Sequence, residues 1–402
     1  MLKKIFLLCL FIFSVVLSGA QPYKKLHFNS ILADTHNDIP TTAIDKGVSF
    51  DQDLKNKTHS DLQRMIAGGV DVQLFSIWCD GLKENPYAWA NREIDTVMAW
   101  TNRNPQNMMT AFSVAEIKTA VKEKKLAVLF GLEGGHMIEN DLNKLEALYN
   151  RGVRYMTLTW NNSTDWATSA AYENPQNTSK ETVVNETAFK PGLTVFGRSV
   201  IKKMNELGMM VDLSHVGEQT FWDAINTTTK PVIVSHSCVY TLCPHRRNLK
   251  DEQIKAVGKN GGVIHLNFYS GFLDSTFEKR SDAFTAKHKT EMDSLLKVNP
   301  EPYFMQVYLF EKYPEEVRSL RPPLSLLLDH LDYIVKLIGA DHVGIGSDFD
   351  GVNSLPQQLD DVTAMPLITK ELLKRGYSKK DIRKILGENF LRILEANQST
   401  KN

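Results

Sequence analysis

The chain has 402 residues, of which 42% are hydrophobic, and its 47 basic residues equal its 47 acidic residues in number. A chain of this length and composition can bury a large core, and its balanced charge excludes a basic nucleic-acid-binding protein and gives no reason to expect a polyanionic partner. Charge alone therefore selects no class of partner.

The first twenty residues have the pattern of a secretory signal peptide. Two lysines precede an apolar run over 5–17, and a small-residue Ser-Gly-Ala cleavage site follows at 18–20. The run is too short for a comfortable transmembrane span, no Cys follows the cleavage site, and the polar C-terminus lacks a GPI signal. We therefore expect 1–20 to be removed and the mature chain to be periplasmic or secreted, without a stable membrane anchor.

Three cysteines remain in the mature chain: Cys79, Cys238 and Cys243. The number is odd, and an exported chain of this size can build its core without disulfides. We expect free structural thiols, although Cys238 and Cys243 are close enough in sequence for one disulfide to be the alternative.

Eight short apolar runs recur along the chain, and each ends in a polar or charged residue. Most are near-continuous hydrophobic segments, as is typical of strands buried on both faces. The runs cover residues 31–34, 70–78, 126–133, 153–160, 209–215, 231–236, 262–267 and 342–348. Segments with helical spacing lie between them, for example 141–150, 193–207, 251–258 and 324–338.

Eight alternations of strand and helix favour a closed barrel over an open doubly wound sheet, and no G-x-G-x-x-G motif opens a helix. We therefore predict one α/β domain over 21–402, a (β/α)₈ TIM-type barrel. The polar segment 163–191 reads as a long loop after the fourth strand. Residues 270–323 read as a helical insertion after the seventh strand, and 362–396 as extra C-terminal helices.

Six side chains that bind metals or transfer protons fall at the C-terminal ends of five predicted strands. A β/α barrel builds its active site at this end. The six are His36, Asp38, Glu133, His215, His236 and Asp348. A single histidine or aspartate in such a position is usually structural, as we expect for Asp350 in its Gly-rich turn. The set of six is far more specific than any one member.

Three imidazoles and two carboxylates suit zinc, and five ligands are enough for two ions that share a carboxylate. We assign His36 and Asp38 to one ion, since their spacing places both side chains on the same side of an extended backbone. His215 and His236 hold the other ion, and Glu133 bridges the two. Ions about 3.5–4 Å apart would hold a hydroxide between them and lower its pKa to near neutrality.

Asp348 is then left without a metal to bind. We predict that it is the general acid/base that orients the water and delivers a proton to the leaving amine. Arg246 and Arg247 follow His236 by ten and eleven residues, in a loop on the active-site side. A guanidinium there can hold a carboxylate bidentately, while the alternative is an ordinary surface charge.

Eight motifs occur in the order and spacing of a known family. They are DTHND (34–38), GLEGG (131–135), GVRYMTLT (152–159), GLTVFGR (192–198), VDLSH (211–215), SHS (235–237), RRN (246–248) and GSDFDG (346–351). On these motifs the chain resembles the renal (membrane) dipeptidase family of the amidohydrolase superfamily, from about residue 31 to residue 396.

The resemblance implies a (β/α)₈ barrel with two zinc ions that hydrolyses dipeptides and tolerates a D-residue on the C-terminal side. The family's ligand pattern carries over to the same five residues assigned above, its acid/base to Asp348, and its carboxylate-binding arginine to Arg247. A homodimer is suggested by the family alone. Two alternatives stay open: hydrolysis of another small carboxylate-bearing amide or lactam at the same metals, and an exported binding protein without catalysis.

One position departs from the family. Well-known members place a histidine after the fourth strand that contacts the substrate, and here Trp160 stands in its place. Tryptophan has one N–H donor and carries no charge, and the loss of an oxyanion donor typically lowers turnover by about 10²–10³-fold. We expect Trp160 to contact the substrate. Either Nε1 of Trp160, a loop Asn or a metal takes over the lost donor, or the substrate choice has changed.

Overall fold

A computed structural model describes residues 22–173, 190–298 and 302–398 of the chain, with no side-chain placement for 302–304. The predicted signal peptide and most of the predicted loop 163–191 lie outside these residues. Among the described helices, none combines the length and the apolar character that a bilayer span requires.

Parallel strands form a closed barrel, as the sequence predicts. The described strands are β1 (Ala33–Asn37), β2 (Val72–Trp78), β3 (Met108–Thr110), β4 (Leu126–Glu133), β5 (Val153–Thr157), β6 (Met210–Asp212), β7 (Ile233–Ser237), β8 (Val263–Leu266) and β9 (Val343–Ile345). The order runs β2-β1-β9-β8-β7-β6-β5-β4, and β2 also pairs with β4 over seven residues, which closes an eight-stranded ring.

The ninth strand, β3, is an accessory strand that the sequence did not reveal. It pairs with Leu126, Ala127 and Val128 at the start of β4, while β5 pairs with β4 only from Phe130 onward. Its three residues are too few to produce a readable alternation of side chains. The eight predicted strands are confirmed, although β5, β6 and β9 end three residues earlier than predicted and β1 begins and ends later.

Helices surround the barrel and fill the segments between its strands. They are α1 (Pro22–His27), α2 (Ile39–Lys46), α3 (Leu62–Gly68), α4 (Pro86–Arg103), α5 (Val114–Lys122), α6 (Leu142–Asn150), α7 (Ala170–Glu173), α8 (Val195–Leu207), α9 (Glu218–Thr227), α10 (Asp251–Asn260), α11 (Ser270–Leu273), α12 (Phe277–Lys287), α13 (Lys289–Leu295), α14 (Pro302–Lys312), α15 (Pro314–Leu320), α16 (Leu324–Ile338), α17 (Pro366–Lys374), α18 (Lys379–Arg383) and α19 (Asn389–Asn397). Short 3₁₀ turns occur at Gly135–Ile138, Ala340–His342 and Val362–Ala364, and a π turn, Lys384–Glu388, joins α18 to α19.

The helical insertion and the extra C-terminal helices are both present. Helices α11 to α15 follow β8, the seventh strand of the barrel, and α17 to α19 follow β9. The insertion has an apolar cluster of its own. Its buried members are Phe277, Phe284, Met292, Leu309, Phe310 and Val317.

The core has two layers because each strand is buried on both faces. All eight residues of β4 are buried. Leu129 has the same parity as Glu133 and therefore points into the barrel, where it belongs to a cluster with Tyr155 and Ile233 that continues to Phe390 in α19. Full burial of one such side chain contributes about 1.5–3 kcal/mol relative to its exposure. Polar residues at the C-terminal ends of the same strands form the open end of the barrel, its mouth.

Cys79, Cys238 and Cys243 are free and buried, as expected. Burial raises the pKa of Cys79 to about 12 and also raises the pKa of Cys238. These thiols are structural.

Candidate active site

The barrel brings all six predicted residues to the C-terminal ends of its strands. His36 lies within β1, Glu133 ends β4, and His236 lies within β7. The other three stand on the connections that leave the strands: Asp38, His215 and Asp348. Asp38 has left the extended conformation, with φ −94° and ψ 16°, so a turn brings it beside His36 and the predicted strand alternation is not the reason.

Three imidazole nitrogens and a carboxylate converge at the centre of this mouth. Nε2 of His36 lies 3.3 Å from Oε2 of Glu133, and Nε2 of His215 lies 2.9 Å from Oε1 of the same carboxylate. Nε2 of His236 is 3.5 Å from that Oε1 and 3.0 Å from Nε2 of His215. On the other side, Nε2 of His36 is 3.5 Å from Oδ2 of Asp38. Glu133 therefore lies between two groups of donor atoms.

The hydrogen bonds of His36 fix its tautomer. Its Nδ1 lies 2.8 Å from the hydroxyl of Tyr155, and that hydroxyl donates to the carbonyl of Thr35 at 2.9 Å. Because the single hydroxyl proton is used on the carbonyl, the hydroxyl accepts from Nδ1–H. Nε2 of His36, which has no hydrogen-bond partner among the described residues, is therefore the ring nitrogen that faces Glu133 and Asp38.

His236 is held in the same way by a buried hydroxyl and carboxylate. Ser235 Oγ donates to Oδ2 of Asp212 at 2.6 Å and accepts from Nδ1 of His236 at 2.7 Å. Nδ1 of His215 donates to Oδ1 of Asn161 at 3.3 Å. The Nε2 lone pairs of both histidines therefore point inward.

These lone pairs supply a test of whether the residues fit a metal. The Nε2 atoms of His215 and His236 lie 3.0 Å apart, beside an oxygen of Glu133. Two nitrogen lone pairs this close would repel one another unless a cation lies between them. His36, Glu133 and His236 each place one nitrogen or oxygen atom within 4.8 Å of those of the other two. His36, Asp38 and Asp348 form a second group of this kind. The donor set fits divalent cations with a preference for nitrogen and oxygen ligands.

The charges of the mouth also favour cations. Glu133, Asp38 and Asp348 are only 5%, 6% and 9% exposed, and such carboxylates are costly to bury without compensation. Burial lowers the pKa of His215 to about 3, with a further contribution from the positive charge of Arg247, and burial lowers the pKa of His236 as well. Both imidazoles are therefore neutral at neutral pH, which is the form that binds metals.

Replacing Ser235 by Ala is expected to weaken metal binding by about 10–100-fold, the usual cost of removing a partner that orients a histidine ligand. Competition with a chromogenic chelator measures the dissociation constant directly. Ser354→Ala is the matched control, because its hydroxyl is also buried, at 3% exposure, and contacts Ser270 Oγ at 2.8 Å. Equal metal affinity in both variants would show that the Ser235 hydroxyl does not orient His236.

Asp348 is placed by a strained backbone and by one side-chain contact. Its φ is 61°, in the left-handed region that residues other than glycine rarely adopt and that is often found at functional sites. Asn267 donates Nδ2–H to Oδ2 of Asp348 at 2.7 Å. Burial raises the pKa of Asp348 well above its usual range, and the negative charge of Asp38 raises it further.

Gly351 makes room for two of these carboxylates. A Cβ at this position would lie 2.2 Å from Oδ2 of Asp38 and 2.6 Å from Oδ1 of Asp348. Neither oxygen can withdraw freely, because both side chains are buried. The final glycine of the GSDFDG motif is therefore required by this close approach.

Asp350 has a structural role, as expected, but its contacts reach beyond its own turn. Its carboxylate accepts hydrogen bonds from the backbone N–H of His59 and from the hydroxyl of Ser60, each at 2.6 Å. Asp350 also has a positive φ, of 67°. It therefore ties the loop before α3 to the loop that carries Asp348.

Arg247 is a buried cation with no carboxylate partner in the part of the chain that the structure describes. It is 5% exposed, its Nη2 donates to the carbonyl of His236 at 3.3 Å, and its Nε has no hydrogen-bond partner among the described residues. Phe272 of the insertion lies 5.3 Å from its guanidinium carbon, and Asn248 donates to the carbonyl of Phe272. Burial lowers its pKa to about 10, so the side chain remains charged at neutral pH.

Trp160 lies beside the candidate metal ligands, where the sequence places it. Its ring centroid is 6.4 Å from that of His215 and 5.0 Å from that of Trp78, which ends β2. Strand pairing sets Trp78 opposite Glu133. The two indoles therefore stand on either side of β4, above Glu133.

Several residues of this site were not found by sequence reasoning. Tyr155 contacts His36 from across the barrel, Ser235 contacts the adjacent His236, and Asn267 contacts Asp348. Asn267 ends a predicted strand and was detectable by that position. Tyr155 lies inside a strand, and a phenol that contacts a histidine 119 residues away leaves no local signal.

A family model described as membrane dipeptidase (peptidase family M19) matches residues 20–402. Solved structures resemble the chain over most of its length. A probable dipeptidase, PvdM, from Pseudomonas aeruginosa is 23% identical with a TM-score of 0.76, and the match covers 94% of this chain and 97% of that one. A metallopeptidase from Rhodobacter sphaeroides, bound to a phosphinate mimic of the dipeptide L-Ala-D-Ala, is 23% identical with a TM-score of 0.72, over 92% of this chain and 100% of that one. At these identities the structures establish the shared fold.

Proposed function

Since the chain belongs to the membrane dipeptidase family (peptidase family M19), and is thus a metal-dependent hydrolase of the dipeptidase class, we propose that it uses two zinc ions to cleave dipeptides with a free carboxylate. One observation carries the proposal. Three imidazoles whose Nδ1 atoms are all engaged direct their Nε2 atoms at a single buried carboxylate, Glu133. Next to them lies a buried guanidinium with no carboxylate partner among the described residues.

In this proposal His36 and Asp38 hold one ion, His215 and His236 hold the other, and Glu133 bridges them. When bound, such a pair of ions supplies an activated water and polarises the scissile carbonyl. The protein's part is to orient the imidazoles, through the hydroxyls of Tyr155 and Ser235 and the amide oxygen of Asn161 on their Nδ1 side.

Asp348 is the proposed acid/base. One of its oxygens is occupied by Asn267, and the other lies beside Asp38 and Gly351 at the mouth. A carboxyl group held in this manner can take the proton of the attacking water and later give it to the leaving amine. The strained φ of Asp348 supports a role in chemistry over a role in packing.

Arg247 is the proposed binding site for the substrate's C-terminal carboxylate. A guanidinium buried to this degree normally has an anionic partner, and a substrate carboxylate would provide it. A pocket opens beside Arg247 and His215, with Leu213, Tyr240 and Asn248 among its lining residues. We assign this pocket to the side chain of the C-terminal residue.

Arg247→Ala is expected to lower kcat/KM for free dipeptides by roughly 10²-fold, because a charge-assisted hydrogen-bond pair contributes about 1.5–3 kcal/mol. Dipeptide amides, which lack the carboxylate, should be poor substrates of both proteins and show little further loss. Arg198→Ala, which removes an arginine from a partly exposed ion pair with Asp223, is the control for loss of charge. Equal losses on acids and amides would contradict carboxylate binding.

The broad test is a kinetic screen of the zinc-loaded mature protein against L-L and L-D dipeptides, with N-acetylated and amidated controls. If no dipeptide in the panel is cleaved, although two metals per chain are verified, the result would favour the second candidate, hydrolysis of another small carboxylate-bearing amide or lactam. Trp160 in place of the family histidine is the observation that supports this candidate.

We also propose that the mature enzyme is exported, to the periplasm or the medium, on the strength of the leader pattern in 1–20. Mass spectrometry of the N-terminus of protein recovered from outside the cytoplasm tests this, and an intact leader on recovered protein would contradict it.

A further inference from the structure

Two tryptophans form an aromatic wall, Trp78 with Trp160, at one side of the mouth. Their ring centroids are 5.0 Å apart and their planes meet at 66°, an edge-to-face arrangement. Trp160 also lies over Gly134, since a Cβ at that glycine would be 3.4 Å from the Cβ of Trp160. The aromatic wall therefore lies beside the end of β4, where Gly134 follows Glu133.

The aromatic wall keeps part of its surface exposed. Both indoles are only half-buried, whereas Trp166, six residues beyond Trp160, is a core residue with 1% exposure. The ring of Trp160 is tilted by 38° from the imidazole of His215 at a centroid distance of 6.4 Å. Partly exposed indole surface beside the reacting centre is available to a substrate. Trp166 differs, because its indole is fully buried in the core.

Trp78 is held rigidly by side chains of α4. Its backbone N–H donates to Oε2 of Glu93 at 2.7 Å, and its carbonyl accepts from Nε1 of Trp89 at 3.0 Å. Glu93 is fully buried, and its other oxygen accepts from the hydroxyl of Thr41 at 2.6 Å. A surface with its backbone fixed in this way loses little conformational entropy when a ligand binds.

The order of the barrel strands sets the aromatic wall apart from Arg247. Trp78 and Trp160 follow β2 and β5, on either side of β4, while Arg247 follows β7. Strand β6, which leads to His215, and strand β7, which contains His236, lie between β5 and Arg247 in the barrel order. A dipeptide with its carboxylate on Arg247 and its amide at the metal ligands therefore extends its N-terminal residue toward the aromatic wall.

From these observations we propose that the aromatic wall is the subsite for the side chain of the substrate's N-terminal residue, and that it favours an aromatic side chain. This assignment deepens the proposed dipeptidase function and depends on it. A favourable aromatic contact corresponds to about a two- to tenfold gain in binding, and burial of the side chain adds to it. The preferred substrates are then dipeptides of the form Phe-Xaa or Tyr-Xaa over Ala-Xaa.

The test compares kcat/KM for L-Phe-L-Ala and L-Ala-L-Ala in the zinc-loaded protein. The ratio of the two should exceed one in the parent protein, fall about tenfold in Trp160→Leu, and be largely retained in Trp160→Phe. Trp222→Leu, a partly exposed tryptophan on the outer helix α9, serves as the control and should keep the parent ratio. Metal content is measured in every variant, so that a general loss of the site is recognised.

The outcomes separate this subsite from the function itself. Cleavage of L-Ala-L-Ala with a ratio of one or less, or with an unchanged ratio in Trp160→Leu, overturns the aromatic subsite and leaves the dipeptidase proposal standing. No cleavage of any dipeptide with both metals bound overturns both. If Trp160→Leu does not fold, the same ratio in Trp78→Leu, together with competitive inhibition by a phosphinate analogue of Phe-Ala relative to that of Ala-Ala, decides the question.

Discussion

Asp348→Asn is expected to lower kcat by about 10²–10⁴-fold, the range over which a positioned acid/base contributes, while the protein keeps its metal ions. Asparagine has nearly the same shape, and its carbonyl can still accept from Asn267, but it cannot take and return a proton. Steady-state kinetics and elemental analysis of the purified variant measure the two quantities separately.

The metal content decides between two roles for Asp348. One of its oxygens lies within 4.8 Å of donor atoms of both His36 and Asp38, so the geometry also suits a metal ligand. Loss of one ion per chain in Asp348→Asn would assign it as a ligand and contradict the acid/base role. Asp350→Asn is the matched control: this buried aspartate also has a positive φ, and its loss should lower stability but reduce kcat by less than about tenfold.

Gly351→Ala is the second variant with a large expected effect. The new Cβ would lie 2.2 Å from Oδ2 of Asp38, far inside van der Waals contact, and must displace that carboxylate. Displacement of a catalytic group by about 1 Å typically costs on the order of 10² in rate. We expect a loss of at least this size in kcat, together with weaker binding of one metal ion in a calorimetric titration.

Gly376→Ala controls for the general cost of replacing a glycine. Its φ of 87° strains an alanine, but a Cβ there meets no atom within 4 Å. This variant should therefore be less stable than the parent protein and keep its metal affinity and kcat. Full metal content and near-parental kcat in Gly351→Ala would show that the loop yields, and that the glycine is not needed for the carboxylates.

Most of the fold was predictable because parallel strands buried on both faces leave long apolar runs. Runs such as 126–133 and 70–78 match β4 and β2 closely. The end of a strand is less visible, since Leu158 and Thr159, which follow β5, are as buried as the strand itself. The accessory strand β3 was missed because pairing with β4, and not its own sequence, makes Met108–Thr110 extended.

The candidate metal ligands were predictable because the ends of barrel strands share one mouth, which turns a linear pattern into a spatial one. What that pattern cannot supply is the contact made from elsewhere in the barrel. Tyr155 contacts His36 only because Gly131 has no side chain: a Cβ there would lie 1.9 Å from Cζ of Tyr155. Contacts of this kind depend on the register between strands. The residue pattern of a single strand does not specify that register.

The position of β1 in the barrel has a consequence for how the protein acquires its structure. β1 lies between β2 and β9, and Asp34 at its start hydrogen-bonds Ser347, 313 residues later. The N-terminal strand therefore has an open edge throughout synthesis until the last barrel strand is available, and contacts of such high sequence separation form slowly. Because the site takes His36 from β1 and Asp348 from the loop after β9, it is among the last parts to form. A ribosome-bound or truncated chain that ends before Val343 presents unpaired strand edges at β1 and β8, and no complete catalytic centre.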